Sequence, residues 1–488
     1  MSNSELHHIH VGPNGTFTAS GDSVTTTQQI DRFFKKMEQN NCRQIILYFH
    51  GGMVPEASGI QTANDLSPIL EKDGAQPIFF IWETGWDETI LQNMKKFWQS
   101  EFIQELLKYV IPQVEKYLKP TLGGKGSRST MSIADVEKEL SKDRPFENWD
   151  IADETNKGAK GDLTSIDENE LPLLRKDIEK DLLQQMQSRS DKIKAAAQDS
   201  AKEEFIAPEI RQQFPDEDAK GIDWLWLAGL AARIVIQTIR RYLRGLDHGL
   251  YPTIIEETFR ATSVVEKLGK FLWDQMKVKA AAMWETDTKN PRVGAYFLKK
   301  LISYAQATSN FKIDLAGHSA GSIVICEMLK ATAAKFPDFQ FGRIALLAPA
   351  ARVDLFVKEI IQHPERFEEL RIYTMKDEQE LRDALLWKVY PISLVFFVSA
   401  LLESPAPMPL CGLARCLTGL HPYDTGDTLL AHKYLMSGPQ RLVLSVTDEN
   451  ALPGFRSNSC HHGDFDNVKM SDGKSGETIS SLKTYFKR

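Results

Sequence analysis

The stretch that decides the fold is residues 313–325, which read Ile-Asp-Leu-Ala-Gly-His-Ser-Ala-Gly-Ser-Ile-Val-Ile. The apolar residues before Gly317 predict a buried strand, and the apolar run after Gly321 predicts the start of a helix. Ser319 lies at the tip of the turn, where we expect a strained backbone, and the two glycines avoid side-chain clashes. A G-x-S-x-G sequence between a strand and a helix is typical of a nucleophile elbow, which points a serine hydroxyl away from a sheet.

A second motif follows an earlier predicted strand. The apolar run 43–49 ends in His50-Gly51-Gly52. A histidine and two glycines in this position commonly supply a main-chain amide to an oxyanion hole. Glycines suit this role because the amide must approach a tetrahedral oxyanion to within about 2.7–3.1 Å. The two motifs support each other, because each predicts one part of the same acyl-transfer site.

The composition limits the class of protein. With 488 residues, of which 42% are hydrophobic, the chain can form two or three domains, or one large domain with an insertion. A net charge of −7 gives no reason to expect nucleic acid as a partner. The five cysteines form no zinc-type pair, so we expect a reducing, cytoplasmic setting. Residues 1–15 lack the pattern of a secretory signal, and no apolar run reaches the length of a membrane span.

Strand and helix signals fall in two blocks, residues 1–90 and 251–488. Their alternation predicts an α/β architecture with a mostly parallel sheet covered on both faces. Residues 91–250 show helical periodicity, and we expect a helical insertion that caps the catalytic face. Residues 127–167 are polar and charged, so we expect part of them to be mobile. The predicted strands are 8–11, 16–18, 43–49, 77–82, 313–316, 343–348, 370–375 and 441–446, and the predicted helices are 30–37, 59–71, 174–204, 263–283 and 293–307.

One predicted helix of the insertion has two different faces. Arg233, Gln237, Arg240 and Arg244 share one face, and apolar residues cover the other. We favour a cap helix that is buried against the core or against another subunit. The alternative is peripheral contact with an anionic membrane surface through the Arg233–Arg244 face. The apolar run 392–402 is too short for a membrane span, and we expect a buried helix or a wall of the active-site cleft.

A serine nucleophile needs a base that removes its proton during attack. In this type of site the acid follows the serine along the chain, and the histidine follows the acid. Only His461 and His462 follow the last predicted strand. We favour His462 as the base, because Gly463 would let the loop turn inward, and we keep His461 as the alternative.

The acid is expected after the strand that ends at Met375. Asp377 comes two residues later and is favoured as the carboxylate that orients the imidazole and stabilises its cation. Its competitors are Glu378, Glu380, Asp383 and, one strand earlier, Asp354.

The sequence predicts neither a metal nor a cofactor. Residues 460–466 include several side chains of the metal-ligand type, but the only complementary cluster is the early group of His7, His8 and His10. No P-loop and no dinucleotide-binding glycine pattern follows a predicted strand.

Together these motifs resemble the α/β-hydrolase superfamily, and more narrowly a bacterial hydrolase-like group of undefined substrate. The matching segments cover both blocks but little of the insertion; they are residues 50–54, 80–85, 251–254, 317–321, 347–350, 373–375 and 462–466. The resemblance implies a Ser319–His462–Asp377 triad. It implies oxyanion-hole amides from Gly51 or Gly52 and from Ala320, with His50, Gly317, His318 and Gly321 as supporting motif residues.

We therefore expect a serine hydrolase that cleaves a carboxylic ester through an acyl-enzyme. The substrate would be a small-molecule or lipid ester, and the apolar insertion suggests an apolar acyl chain. One alternative is a membrane-lipid-degrading effector, a toxin or defence component, with the same triad. The other is a non-enzymatic scaffold that uses the insertion to bind a partner. The superfamily contains many activities, so the fold alone names no substrate.

Overall fold

The computed structural model describes residues 7–19, 23–52, 55–71, 74–82, 87–118, 130–147, 168–200, 204–213, 223–263, 265–287 and 289–488. Residues 53–54 and 83–85 of the matching segments lie outside the described residues. The same holds for residues 127–129 and 148–167 of the stretch predicted to be mobile.

The chain divides into two compact units. The first, here called the core unit, contains Met1–Asp87, Leu272–Asp383 and Met408–Arg488. The second, the helical unit, contains Glu88–Phe271 and Ala384–Pro407. The helical unit thus includes residues 88–90, 251–271 and 384–407 in addition to the predicted insertion, residues 91–250.

Seven parallel strands form the sheet of the core unit. They are β1 (His8–Val11), β2 (Gln44–Phe49), β3 (Gln76–Trp82), β4 (Lys312–His318), β5 (Phe341–Leu347), β6 (Phe367–Met375) and β7 (Leu442–Ser445). The strand order is β1-β3-β2-β4-β5-β6-β7, and every neighbouring pair is parallel. All residues of β2 are buried, as expected for a strand covered by helices on both faces. The predicted parallel α/β architecture is confirmed.

The helices of the described residues follow in chain order. They are α1 (Thr27–Gln39), α2 (Glu56–Leu70), α3 (Asp87–Gln99), α4 (Glu101–Leu118), α5 (Ile133–Leu140), α6 (Leu171–Gln187), α7 (Ser190–Ser200), α8 (Pro208–Arg211), α9 (Trp224–Leu243), α10 (Leu250–Thr262), α11 (Val265–Ala282), α12 (Val293–Ala307), α13 (Gly321–Lys335), α14 (Val353–Phe356), α15 (Asp377–Glu380), α16 (Leu394–Phe397), α17 (Gly426–Met436) and α18 (Glu477–Phe486). Within the described residues, no helix is both long enough and apolar enough to cross a membrane.

Local sequence explains why α1 begins and packs as it does. Thr26 caps the helix by accepting from the main chain of Gln29, whose side chain accepts from the main chain of Thr26. The apolar side chains Ile30, Phe33, Phe34 and Met37 recur at helical spacing and are buried. Helix α1 packs against α12, on which Phe297 lies 5.3 Å from the Phe34 ring.

Helix α9 forms the centre of the helical unit. It contacts α4, α6 and α10, and most of its apolar residues, such as Ala228, Ala231 and Val235, are buried, whereas Leu225 in its first turn is exposed. Arg233 and Arg244 are exposed. The apolar side of this helix is therefore covered inside its own unit, and membrane contact through the Arg233–Arg244 face stays a prediction.

Buried polar contacts hold residues 384–407 in the helical unit. The Tyr390 hydroxyl donates to Glu256 over 2.5 Å, and the Tyr251 hydroxyl donates to the Lys388 carbonyl over 3.1 Å. Glu256 is completely buried and pairs with Arg241, so its charge is compensated. The apolar run 392–402 forms α16 and a wider helical turn over Val398–Leu402, and both are buried in this unit.

The structure departs from the sequence prediction at residues 16–18. This stretch is not a strand, because the chain leaves β1 through a short 3₁₀ helix, Pro13–Gly15. Thr16 then makes only an isolated bridge to Arg292, and its hydroxyl donates to the Pro13 carbonyl. The local turn therefore takes the hydrogen bonds that a strand would need.

Candidate active site

Ser319 lies at the tip of the turn between β4 and α13. Its backbone is left-handed, with φ of 50°, which is strained for a residue other than glycine. A Cβ at Gly321 would lie 2.1 Å from the carbonyl oxygen of Phe49, and one at Gly317 would lie 2.8 Å from the main chain of Gly321. Both positions therefore require glycine, and the turn has the geometry that the sequence predicts.

Hydrogen bonds from the neighbouring strand fix this strained turn. The Ser319 amide donates to the Leu347 carbonyl over 2.8 Å, and the Ala350 amide donates to the Ser319 carbonyl over 3.0 Å. The Ser322 hydroxyl also donates to the Ser319 carbonyl, over 2.6 Å, and accepts from the Ala351 amide over 3.0 Å. The main chain of the serine is thus held on both sides. Among the described residues, its own hydroxyl has no hydrogen-bond partner, and the residue is 7% exposed.

The glycine pair after β2 lies directly against this turn. Strands β2 and β4 pair with Phe49 beside Gly317, so the residues that follow both strands emerge at the same sheet edge. A Cβ at Gly51 would lie 3.2 Å from the Ser319 Cβ, and one at Gly52 would lie 3.0 Å from the Ala320 Cβ. The absence of side chains at these two positions lets the backbone approach the serine closely.

His50 holds the conformation of the glycine pair. Its Nε2 accepts from the Trp82 amide over 3.2 Å, so its Nδ1 carries the proton and donates to the Gly51 carbonyl over 2.7 Å. Burial lowers the pKa of His50 to about 4, so the ring is neutral at physiological pH. Since C=O and N–H point in opposite directions across a trans peptide, the Gly52 N–H points away from His50.

The two late histidines differ in their surroundings. His462 is 8% exposed, and its ring centroid lies 5.1 Å from that of His318. Among the described residues, its Nδ1 is buried without a hydrogen-bond partner. Burial, and then the charge of His318, lower the pKa of His462 to about 3, so it is neutral. The side chain of His461, by contrast, is 58% exposed.

Asp383 is the carboxylate that meets this histidine pair. Its Oδ1 lies 2.9 Å from Nδ1 of His461, and its Oδ2 accepts from the main-chain N–H of His462 over 2.7 Å. Asp383 therefore links the segment after β6 to the loop after β7. From the sequence alone, Asp383 is only one of several competitors of Asp377.

The structure places the favoured acid elsewhere. Both oxygens of Asp377 accept from the guanidinium of Arg415, over 2.7 Å each, and among the described residues Asp377 contacts neither late histidine. Asp354 pairs in the same way with Arg352, at 2.9 and 2.6 Å. Glu378 and Glu380 lie on the short helix α15.

Gly463 does not explain why the base loop turns inward at His462. Gly463 has no left-handed backbone, and a Cβ there would meet nothing within 4 Å. A side chain would therefore fit at this position, and the burial of His462 has other causes. One of these causes is a contact between His318 and the main chain of His462, which the sequence does not predict.

This contact is a polar chain that joins the elbow to the base loop. Nε2 of His318 lies 3.0 Å from the His462 carbonyl oxygen, and Nδ1 of His318 lies 3.3 Å from Oδ2 of Asp466. The Tyr48 hydroxyl, on β2, donates to the same Asp466 oxygen over 2.9 Å. The only sequence signal for this chain is a histidine directly before the nucleophile and an aspartate four residues after His462.

Within the described residues, no group of three or more His, Cys, Asp or Glu side chains has an arrangement that could hold a metal ion. The early histidines therefore form no such cluster with residues 460–466.

Comparison with known proteins covers the part of the chain that holds the elbow. Residues 282–388 match a family described as "Alpha/beta hydrolase of unknown function (DUF900)". This segment includes β4, Ser319, β5, β6 and Asp383. No curated protein and no solved structure shows a significant match to the chain. Residues 282–388 are therefore similar to an α/β-hydrolase family, and the seven-stranded parallel sheet of the core unit is consistent with the α/β-hydrolase fold.

Proposed function

We propose that this protein is a serine hydrolase that cleaves a carboxylic ester through Ser319. The observation that carries the proposal is the position of this serine. It has a left-handed backbone at the carboxyl end of β4, and the main chain of Gly51 and Gly52 lies against it. A strained serine in contact with a glycine pair is typical of acyl-transfer sites in this superfamily.

The base in this proposal is His462. A neutral imidazole can accept the Ser319 proton during attack. His462 is buried, and among the described residues its Nδ1 has no hydrogen-bond partner. The alternative, His461, is exposed, and its Nδ1 lies 2.9 Å from Asp383. Attack of Ser319 Oγ on the ester carbonyl would give an acyl-enzyme, and His462 would then activate the water that releases the acid.

The oxyanion that forms in each step needs main-chain donors. Ala320 directly precedes α13, so its amide lies at the positive end of the helix dipole. The Gly52 amide is the second proposed donor, because His50 holds the Gly51 carbonyl on the opposite side of the same peptide. Two fixed amides stabilise the developing charge without reorganisation, which is usually the largest electrostatic contribution to such reactions.

For the carboxylate we propose Asp383. It binds the base loop at two points, whereas both oxygens of Asp377 are occupied by Arg415. In this arrangement the carboxylate holds the main chain of His462. It therefore orients the base through the loop.

For the substrate we propose a small-molecule or lipid ester with an apolar acyl group. The support is local: the Met276 sulfur lies 2.7 Å from the position of a Cβ at Gly52, so an apolar side chain borders the proposed oxyanion hole. A cytoplasmic setting, expected from the cysteine content, is part of the same proposal. The membrane effector and the binding scaffold stay predictions, and the buried apolar side of α9 does not favour the first.

Hydrolysis of p-nitrophenyl esters of increasing chain length tests this function. Ser319→Ala should abolish turnover of every ester in the series, because no other nucleophile replaces the hydroxyl. Ser437→Ala is the matched control, since Ser437 is an exposed serine on the core unit whose hydroxyl only caps the end of α17. Undiminished hydrolysis by Ser319→Ala would remove this serine from the mechanism.

A further inference from the structure

The histidine directly before the nucleophile has a polar neighbour at each ring nitrogen. Nε2 of His318 lies 3.0 Å from the carbonyl oxygen of His462. A carbonyl oxygen can only accept, so this nitrogen must carry a proton. His318 therefore donates from the elbow to the main chain of the proposed base.

The second nitrogen of His318 faces a carboxylate. Nδ1 lies 3.3 Å from Oδ2 of Asp466, and the same oxygen accepts from the Tyr48 hydroxyl. Burial alone would raise the pKa of Asp466, but His318 and Tyr48 outweigh it and hold the pKa below its usual value. Asp466 is therefore ionised, and a carboxylate 3.3 Å from Nδ1 favours a proton on that nitrogen.

Protons on both nitrogens make His318 an imidazolium. Burial opposes this charge, but the Asp466 carboxylate outweighs burial and raises the pKa of His318 above its usual value. His50, across Gly51, also acts on this cluster, and its low pKa makes it neutral. The Asp383 carboxylate faces the main-chain N–H of His462 over 2.7 Å. His318 and Asp466 thus form a cation–anion pair, with the neutral His462 ring 5.1 Å from the cation.

We propose that His318 is a positioning residue that, as an imidazolium held by Asp466, fixes the carbonyl of His462 and keeps the His462 ring unprotonated. Its catalytic consequence rests on the proposed serine-hydrolase function. The charge state of His318 does not, and it can be measured without any turnover.

Two substitutions separate the hydrogen bond from the charge. His318→Ala removes both, so kcat/KM should fall about tenfold or more at every pH. His318→Gln keeps an N–H donor for the His462 carbonyl but carries no charge. It should recover much of the activity near pH 8. Because the positive charge near His462 is gone, His462 should take up a proton more readily. The pH at which kcat/KM falls on the acidic side should therefore rise by about one pH unit or more.

Asp466→Asn provides the matched comparison. It removes the anion, and without its partner His318 loses its proton as well. Because a positive and a negative charge disappear together near His462, the acid limb should stay within about half a pH unit of the wild-type position. If the cluster had only a structural role, activity would fall in all three variants. The acid limb of the His318→Gln profile would then coincide with that of the wild type.

The charge itself is tested by NMR on the full chain with ¹⁵N-labelled histidine. At pH 7.5 we expect signals of a histidine with both ring nitrogens protonated that are present in the wild type and missing from His318→Gln. A neutral tautomer of His318 at this pH would overturn the inference, and so would a His318→Gln profile whose acid limb coincides with the wild type.

The two proposals can fail separately. If His318 is an imidazolium by NMR but a fluorophosphonate does not label Ser319, the hydrolase function is contradicted and the charge assignment stands. If Ser319 is labelled and His318 is neutral, the hydrolase function stands and the inference about His318 fails.

Discussion

The main-chain N–H of His462 donates to Oδ2 of Asp383 over 2.7 Å. This bond joins the segment after β6 to the loop after β7, and it connects the carboxylate to the backbone of the proposed base. The other oxygen of Asp383 faces the side chain of His461. Removal of this carboxylate should therefore loosen the whole loop that carries both histidines.

The first prediction compares Asp383 with Asp377. Asp383→Asn should lower kcat/KM about tenfold to a thousandfold, because the amide cannot hold both histidines as the carboxylate does. Asp377→Asn should lower kcat/KM less than about threefold, since Asp377 pairs with Arg415 away from the base loop. Equal losses in the two variants, measured with a soluble p-nitrophenyl ester, would contradict the assignment of the acid.

The Asp377 ion pair should contribute to the free energy of unfolding. Asp377→Asn breaks a two-point ion pair that is only partly exposed, so the free energy of unfolding should fall by about 1–3 kcal/mol. Thermal melting followed by circular dichroism measures this loss. An Asp377→Asn variant with an unchanged melting temperature and strongly reduced activity would restore Asp377 as the catalytic acid.

The second prediction concerns the glycine after the nucleophile. Gly321→Ala places a Cβ 2.1 Å from the main-chain oxygen of Phe49, so β2 and the start of α13 must move apart. We expect a loss of about 2 kcal/mol or more in the free energy of unfolding, together with loss of fluorophosphonate labelling.

Gly463→Ala is the matched control for this experiment. An added Cβ there meets nothing within 4 Å, and the backbone is not left-handed. Its melting temperature should stay within about 2 °C of the wild type. A Gly321→Ala variant as stable as Gly463→Ala would show that the turn does not lie against β2 as described.

The third prediction is a stability that falls in weak acid. Burial lowers the pKa of His50 to about 4, below the value of about 6.5 that an unfolded chain gives histidine. The unfolded state then binds a proton more readily than the folded state. The contribution of neutral His50 is therefore complete above about pH 6.5 and is lost as the pH falls from there toward 4.

Melting temperatures of the wild type and His50→Gln between pH 7.5 and pH 4.5 test this linkage. The wild type should lose more stability over this range than the variant, whose side chain cannot be protonated. Parallel pH dependences in the two proteins would mean that His50 is not the buried neutral group described.

The fourth prediction concerns α9. Because its apolar side is buried in the helical unit, the protein should not sediment with phosphatidylserine-containing vesicles at physiological ionic strength. The double variant Arg233→Glu/Arg244→Glu should likewise not sediment with the vesicles, and it should hydrolyse esters at the wild-type rate. Sedimentation of the wild type that is lost in the double variant would favour the membrane alternative.

The elbow and the glycine pair were predictable because their signals are local. The strand, the turn and the helix around Ser319 follow one another directly, and each needs its residues for reasons that a short segment reveals. The position of the glycine pair beside the serine then follows from parallel pairing of β2 with β4.

The acid and the polar chain depend on contacts that are distant in sequence. Spacing after β6 cannot distinguish Asp377 from Asp383, because Arg415, 38 residues further along the chain, engages the first. Tyr48 and Asp466 are separated by 418 residues, so only the folded sheet brings them together at His318. Residues 384–407 likewise belong to the helical unit because of buried partners such as Glu256, which the local sequence does not reveal.

The most direct test of the central claim is to locate a covalent fluorophosphonate adduct by peptide mass spectrometry. We predict one adduct, on the peptide that contains Ser319, formed at least about a hundredfold more slowly in His462→Ala and at nearly the wild-type rate in His461→Ala. An adduct on another residue, or no adduct in a folded wild-type protein, would contradict the account.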